Sequence, residues 1–289
     1  MTIAHVRSAG RLLLDRSLGL LSWATARAVG HDMTDKIGTS RLLVLAPHPD
    51  DETLACGGWV ARTLGSGGSA FVVIATDGRF SQDDVAPDDL AATRRIELYR
   101  ATAALGLAPS HVEWLGYEDA SLASHVDELE VQIRDLVRDH QPTIVLSPWA
   151  HDTHADHAAL GRAARAASVG SQVVLLEYVV WAWIHPSHLL QGRLHKPDRA
   201  SGTPLRSRAG VRRRRPVVIR TDGYLRTKTD ALREHQSQLG PSAGEVRLPP
   251  GEGSLDARFI RRFLGPTEMF FPFTSDDLGG GHRVESELP

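Results

Sequence analysis

The sequence predicts an α/β domain built on a mostly parallel sheet, and three observations lead there. Short apolar runs rich in β-branched residues recur at 41–46, 69–76, 112–115, 143–147 and 172–178. Stretches with helical periodicity fall between them, at 53–64, 88–105, 124–139 and 155–167. That alternation is the pattern of βαβ units, in which each parallel strand pair needs a crossover helix. Finally, two dense polar clusters follow directly on two of the strands, and open α/β sheets place their sites at the carboxyl ends of strands.

Taken in order, the run Leu42-Leu43-Val44-Leu45 is apolar without alternation, as expected of a strand buried on both faces. Gly57 and Gly58 lie inside the first helical stretch. Each costs about 1 kcal/mol against alanine in a helix, which points to close backbone contact there. The clearest amphipathic helix is 124–139, where Val126, Leu129, Ile133, Leu136 and Val137 mark one face. After 178 the alternation ends. Pro216 to Arg220 reads as one further strand, followed by a helix ending near Gln238.

Three segments stand apart. Residues 1–39 read as an N-terminal helical extension, whose longest uncharged run, Ser17 to Ala26, is far short of the ~20 residues that span a bilayer. It is expected to pack on the catalytic domain, with dimer contacts or a membrane surface as alternatives. Residues 192–216 carry Arg193, Lys196, Arg199, Arg206, Arg208 and Arg212 to Arg215 and read as a solvated surface loop. The alternative is that its guanidinium forks meet a phosphate-bearing substrate. The tail 275–289, with Gly279-Gly280-Gly281, reads as disordered.

With 289 residues the chain is ample for one large core, assigned here to 40–274, although length alone would permit two domains. Its 33 basic and 35 acidic residues give a net charge of −2, so nothing global points to nucleic acid. A single cysteine, Cys56, rules out an intrachain disulfide framework and suits a reducing, cytoplasmic compartment. Cys56 is expected to pack as a small buried residue, with a ligand role as the alternative.

The first polar cluster is Pro47-His48-Pro49-Asp50-Asp51-Glu52. A histidine and adjacent carboxylates just past a buried strand are costly to crowd together unless something positive holds them. Zinc is the natural candidate, because His and Asp are zinc ligands and an acid left off the metal can act as general base. The blander alternative is that Asp50, Asp51 and Thr53 simply cap the next helix. The second cluster, His151-Asp152-Thr153-His154-Ala155-Asp156-His157, weakens that alternative. If both strands lie parallel in one sheet, the two clusters open at the same edge and form one pocket.

With these motifs the chain resembles the LmbE-like (PIG-L) N-acetylglucosaminyl deacetylases, zinc hydrolases that remove acetyl groups from amino sugars. The likeness rests on the hexad at 47–52, its continuation Leu54-Ala55-Cys56-Gly57-Gly58, and His154-Ala155-Asp156-His157. Weaker echoes follow in family order at Thr76-Asp77-Gly78, Arg94 to Glu97, Leu115 to Asp119, Lys228 to Gln238 and Pro266 to Phe270. The resemblance implies a Rossmann-like three-layer sandwich and one zinc per chain, held by His48, Asp51 and His157. It implies Asp50 as general base and His154 as oxyanion stabiliser or acid. Asp156 would orient a neighbouring histidine, and Arg94 and Asp119 would contact substrate hydroxyls. Some members carry a tyrosine two residues before the first histidine of the second motif; here that residue is Asp152.

The expected reaction is hydrolysis of an N-acetyl group on a small amino sugar or glycoconjugate, with acetate and a free amine as products. Zinc lowers the pKa of bound water to about 7, Asp50 would take the proton, and a protonated His154 would meet the oxyanion. The family also contains amidases of thiol- or lipid-linked conjugates. A metal-dependent phosphoesterase is a second class, but it usually holds two metals about 3.5–4 Å apart. A non-catalytic binding protein is a third, since fold alone never fixes function. Trp181, Trp183 and His185 are packing residues on the plain reading and a sugar-stacking wall on the alternative. Self-association stays open.

Overall fold

The computed structural model describes residues 29–36, 40–181, 215–239, 255 and 257–274. The strands are β1 (His31–Asp32), β2 (Arg41–Ala46), β3 (Ser69–Thr76), β4 (Val112–Tyr117), β5 (Ile144–Pro148), β6 (Val174–Tyr178), β7 (Val217–Arg220) and β8 (Thr267–Pro272). The principal helices are α1 (Asp51–Gly65), α2 (Pro87–Ala104), α3 (Val126–His140), α4 (Ala155–Ser168) and α5 (Leu225–Glu234). Among the described residues all eight strands join one sheet in the order β1-β7-β8-β6-β5-β2-β3-β4. Only β8 runs against the others, pairing antiparallel with both β6 and β7.

Period-two alternation along the central strands divides the core into two layers. Leu42, Val44 and Ala46 of β2 pack with Leu54, Trp59 and Val60 of α1, Leu98 and Ala101 of α2, and Ala231 and Leu232 of α5. Leu43 and Leu45 turn the other way, onto Leu129 and Ile133 of α3 and Ala159, Leu160 and Ala163 of α4. Both faces of β2 are therefore covered by helices, which is why its sequence is apolar at every step. The result is a three-layer α/β sandwich, as expected from the sequence.

Two glycines set how closely the layers approach. A Cβ on Gly58 would lie 2.7 Å from Thr221 Cβ and 2.9 Å from Glu268 Oε1. The space it leaves lets the β8 carboxylate reach into α1, where Glu268 accepts from the Gly58 and Trp59 amides at 2.7 and 2.8 Å. Lys228 of α5, buried with it, closes the cluster at 2.7 Å. Removing one partner of such a buried pair typically costs 3–5 kcal/mol, because the other charge is left uncompensated. Gly161 does the same for α4: a Cβ there would meet Pro148 O at 2.5 Å and Ala150 at 2.7 Å, so α4 presses on the segment after β5.

Three expectations need correction. α1 begins at Asp51, two residues before the expected start, so two acids of the hexad are already helical. The helix expected to end near Gln238 is interrupted at His235 (φ −78°, ψ 55°) and resumes for one turn at Gln236–Leu239. β1 and β8 were not expected as strands; β1 is two residues long, and β8 shows in the sequence only as a family echo. Among the described residues no helix is long and apolar enough to cross a membrane. Most of the N-terminal extension, residues 192–214 of the Arg-rich segment, and the tail from 275 lie outside the described residues.

Gly58→Ala is expected to lower unfolding free energy by about 1–3 kcal/mol, the usual cost of overpacking. Denaturant unfolding measures it, and an unchanged midpoint contradicts the close approach of α1 to β7 and β8.

Candidate metal centre

β2 pairs in parallel with β3 on one side and β5 on the other. The chain leaves β2 for β3 through α1 and leaves β5 for β6 through α4, so the crossovers diverge and a crevice opens between the carboxyl ends. Each loop is tied down. Pro47 O accepts from the amide and hydroxyl of Thr76, both at 2.9 Å. Beyond β5, the Trp149 amide bonds Tyr178 O at 2.8 Å and the Ala150 amide bonds Glu177 Oε1 at 3.1 Å. Arg165 grips Glu177 with two bonds of 2.7 and 2.6 Å.

The two loops bring one compact polar cluster together. Asp51 Oδ2 lies 3.3 Å from His48 Nδ1 and 3.2 Å from His157 Nε2. On its other side, His48 Nε2 is 3.2 Å from Asp119 Oδ1 and 3.3 Å from Asp156 Oδ2. Asp156 is held in turn by the Ala120 and Leu122 amides at 2.8 and 3.0 Å, and Asp119 Oδ2 by the Phe80 amide at 3.0 Å. Burial works against a charged His48, yet bonds to Asp119, Asp156 and Asp51 outweigh it and hold the imidazole well above its ordinary range. Burial likewise opposes ionisation of Asp51, but His157 and His48 hold its carboxyl well below the usual range.

Asp50 stands beside this group without joining it. Its backbone has φ 139° and ψ −29°, and its side chain makes no capping bond to α1, which overturns the capping alternative for this residue. Its carboxylate lies 3.3 Å from Arg94 Nη2. Burial pushes the carboxyl up to about 6; Arg94 and His235 oppose the rise, while Asp51 and Glu52 add to it. Arg94 is 3% exposed and also donates to Gly78 O and Pro49 O, so it sits beneath Asp50 rather than at the mouth of the crevice. Asp119, the other residue expected to meet substrate, is 9% exposed and is turned to His48.

The sequence comparisons agree with this geometry. The PIG-L family model, described as GlcNAc-PI de-N-acetylase, matches residues 43–168, which include both polar loops. The match covers 126 of the 289 residues, so the likeness is one of this segment. Diacetylchitobiose deacetylase of Thermococcus kodakarensis is 31% identical over 126 residues, covering 42% of this chain and 46% of that protein. Across this and two further curated relatives, the matched stretches span between 46% and 60% of the relative's length. The crystal structure of the zinc-inhibited form of teicoplanin deacetylase Orf2 has a TM-score of 0.57 at 21% identity, covering 81% of this chain and 97% of that one. GalB, the 4-carboxy-2-hydroxymuconate hydratase of Pseudomonas putida KT2440, has a TM-score of 0.54 at 16% identity, covering 87% of this chain and all of that one. A hydratase on the same architecture means that the fold by itself does not choose the reaction.

The donor set where the two loops meet fits a metal ion. One nitrogen from each of His48, His154 and His157 lies within 4.8 Å of the others, and His48, Asp119 and Asp156 form a second such group. Both ring nitrogens of His157 are buried without a hydrogen bond, although Asp51 Oδ2 is 3.2 Å from Nε2: the two are close but not aligned to bond. A buried imidazole left in that state beside a carboxylate is what a shared cation satisfies. Asp152, at the position where some family members have tyrosine, is buried behind His157, 3.9 Å from its Nδ1. It accepts from the Val180 and Trp181 amides, each at 3.3 Å, and so backs the metal group rather than facing the crevice.

His154 packs edge-on against His48 with ring centroids 4.8 Å apart and stacks on Trp181 at 6.1 Å. Burial and the neighbouring His48 and His157 pull its pKa down to about 4, so the protonated form expected from the sequence is not the one this environment favours. The third histidine of the run, His151, is exposed and turned to Arg165 at 3.2 Å. Cys56 is fully buried in the apolar core and belongs to neither metal-ligating group. Trp183 and His185 lie outside the described residues. Glu52 and His235 join the buried cluster without a predicted role; their signal is the hexad itself and the echo at 228–238.

A divalent cation of the zinc group is expected to bind at one per chain, and His157→Ala to abolish that binding. Asp152→Asn is expected to weaken it by about 10–100-fold, the usual effect of losing a carboxylate behind a ligating histidine. Competition against a chelator measures both; unchanged affinity in His157→Ala contradicts the assignment.

Proposed function

We propose that this chain is a zinc-dependent hydrolase that removes an N-acetyl group from an amino sugar or glycoconjugate, releasing acetate and a free amine. One observation carries the reading. Two imidazoles and a carboxylate converge from separate loops, while a further acid, Asp50, stands buried beside them and outside the group. The PIG-L match and the deacetylase activity for which the Thermococcus relative is named support the choice of bond. Both candidate ligand groups contain His48 and neither contains Asp51, whose place in the ligand set rests on its contacts of 3.3 and 3.2 Å with His48 and His157.

In this reading His48, Asp51 and His157 would hold the ion, and zinc would supply Lewis acidity and lower the pKa of a water toward about 7. Asp50 is the general base. Its pKa, raised by burial, suits proton transfer near neutrality, and its ion pair with Arg94 keeps the carboxylate in one place. His154 Nδ1 accepts the Asp156 amide at 3.3 Å, which leaves the proton of a neutral ring on Nε2. That N–H is the donor assigned to the carbonyl oxygen as negative charge develops on it. Asp156 fixes His48 through Nε2 and is a positioning residue rather than a reactant. Asp119 and Arg94 support the centre in the same way, and any contact of theirs with substrate hydroxyls comes second.

Two finer assignments belong to the proposal. A reducing, cytoplasmic setting rests on the lone cysteine. A phosphate on the substrate rests on Arg212 to Arg215, and replacing all four with Gln is then expected to raise KM for a phosphorylated substrate and spare a neutral one. An equal effect on both substrates removes the phosphate.

The decisive assay is acetate release from a panel of N-acetyl sugars with and without chelator. Asp50→Asn is expected to keep one zinc per chain and lose about 100-fold or more in turnover, within the range general-base catalysis contributes. Turnover that survives the substitution takes Asp50 out of the mechanism.

A further inference from the structure

Asp50 occupies a backbone conformation that an L-residue adopts at a cost of about 1–3 kcal/mol and keeps only when its surroundings over-determine it. The restraint is visible atom by atom. Its amide donates to Glu52 Oε2 at 2.9 Å, and its carbonyl accepts from the Thr53 and Leu54 amides at 3.1 and 2.8 Å. The carbonyl bonds are the opening of α1 and need nothing special. The amide bond is different, because Glu52 must turn its side chain back past its own helix start.

Glu52 is wholly buried, so its carboxylate needs donors of its own. Oε1 accepts from Thr53 Oγ1 at 2.5 Å and lies 3.2 Å from His235 Nε2. His235 is 1% exposed, and its Nδ1 has no partner among the described residues, so the ring's polar contact is with Glu52. It sits where α5 breaks before the one-turn helix at Gln236–Leu239. That turn is anchored separately: Glu97 of α2 accepts the Ser237 amide and hydroxyl at 2.8 and 2.6 Å. A buried histidine at a helix break, fixed from a third helix and bonded to one carboxylate, is more than packing requires.

We propose that Glu52 and His235 form a positioning pair that clamps Asp50 in its strained conformation, so that its carboxylate stands beside the metal group instead of joining it. Neither residue touches substrate. Without the clamp, Asp50 relaxes to ordinary backbone angles and its carboxylate moves, a displacement of the kind that costs a reaction about 10–100-fold. The proposal rests on the hydrolase reading for its kinetic consequence only; the clamp itself is a property of the metal-free fold.

The test compares wild type, His235→Ala and His235→Gln, the last keeping a donor toward Glu52. Hydrogen exchange in the metal-free proteins is followed at the Asp50 amide, with α3 as a remote reference. Faster exchange of Asp50 by about tenfold or more in His235→Ala, with α3 unchanged and His235→Gln close to wild type, is the expected result. In the kinetic arm, with diacetylchitobiose as probe, kcat falls about tenfold or more in His235→Ala with KM and one zinc per chain retained, and His235→Gln recovers most of it. Unchanged exchange at Asp50 in His235→Ala overturns the proposal, as does loss of zinc from both variants. A wild type that releases acetate from no member of the N-acetyl sugar panel removes the hydrolase reading and leaves the exchange result to judge the clamp.

Discussion

The crowding of buried acid at the carboxyl ends of β2 and β5 is the constraint on which the rest of the molecule turns. Asp50, Asp51, Glu52, Asp119, Asp152 and Asp156 are all buried there, against Arg94 and the imidazoles of His48, His157 and His235. Even with those three rings protonated the group stays net negative. Desolvating an ion costs several kcal/mol after relaxation, so an excess of buried carboxylates is relieved either by protonation, toward which Asp50 is pushed, or by a cation among them. The proposed divalent metal between Asp51 and His157 would meet that need at the ring nitrogens of His157, which have no hydrogen bond.

Much of the fold is organised to hold the crowd still. β2 is buried on both faces, so its end is fixed in depth, and Pro47 is pinned to Thr76 of β3. Gly161 lets α4 press against the second loop, and Arg165 locks the same loop to β6 through Glu177. Farther away, Glu268 and Lys228 join β8, α1 and α5 around Gly58. These contacts lie outside the reacting centre, yet they set where α1, and with it Asp51 and Glu52, begins.

How much of this was legible in the sequence depends on whether a residue's role is local. The alternation of runs at 41–46 and 69–76 with helical stretches was readable because burial on a strand or a helix face is a local pattern. The convergence of the two loops followed from a parallel sheet and the site rule for its carboxyl edge. Long-range pairing was not legible. Arg94 matched a substrate-contacting position, but its guanidinium reaches beneath the loop to Asp50, and no spacing announces that. His154 was expected to be charged; its burial among His48, His157 and Trp181 is a tertiary fact. β8 was missed because its six residues pair antiparallel between strands distant in sequence. The partnership of Glu52 and His235 joins residues 183 apart.

The proposed centre is one cation bound by His48, Asp51 and His157 with Asp50 left outside. X-ray absorption at the zinc edge of the loaded protein tests it most directly. The predicted spectrum has two imidazoles and light oxygen or nitrogen scatterers around a single zinc, unaltered by Asp50→Asn. A sulfur scatterer, a second metal about 3.5–4 Å away, or a shell that changes when Asp50 is replaced would contradict it.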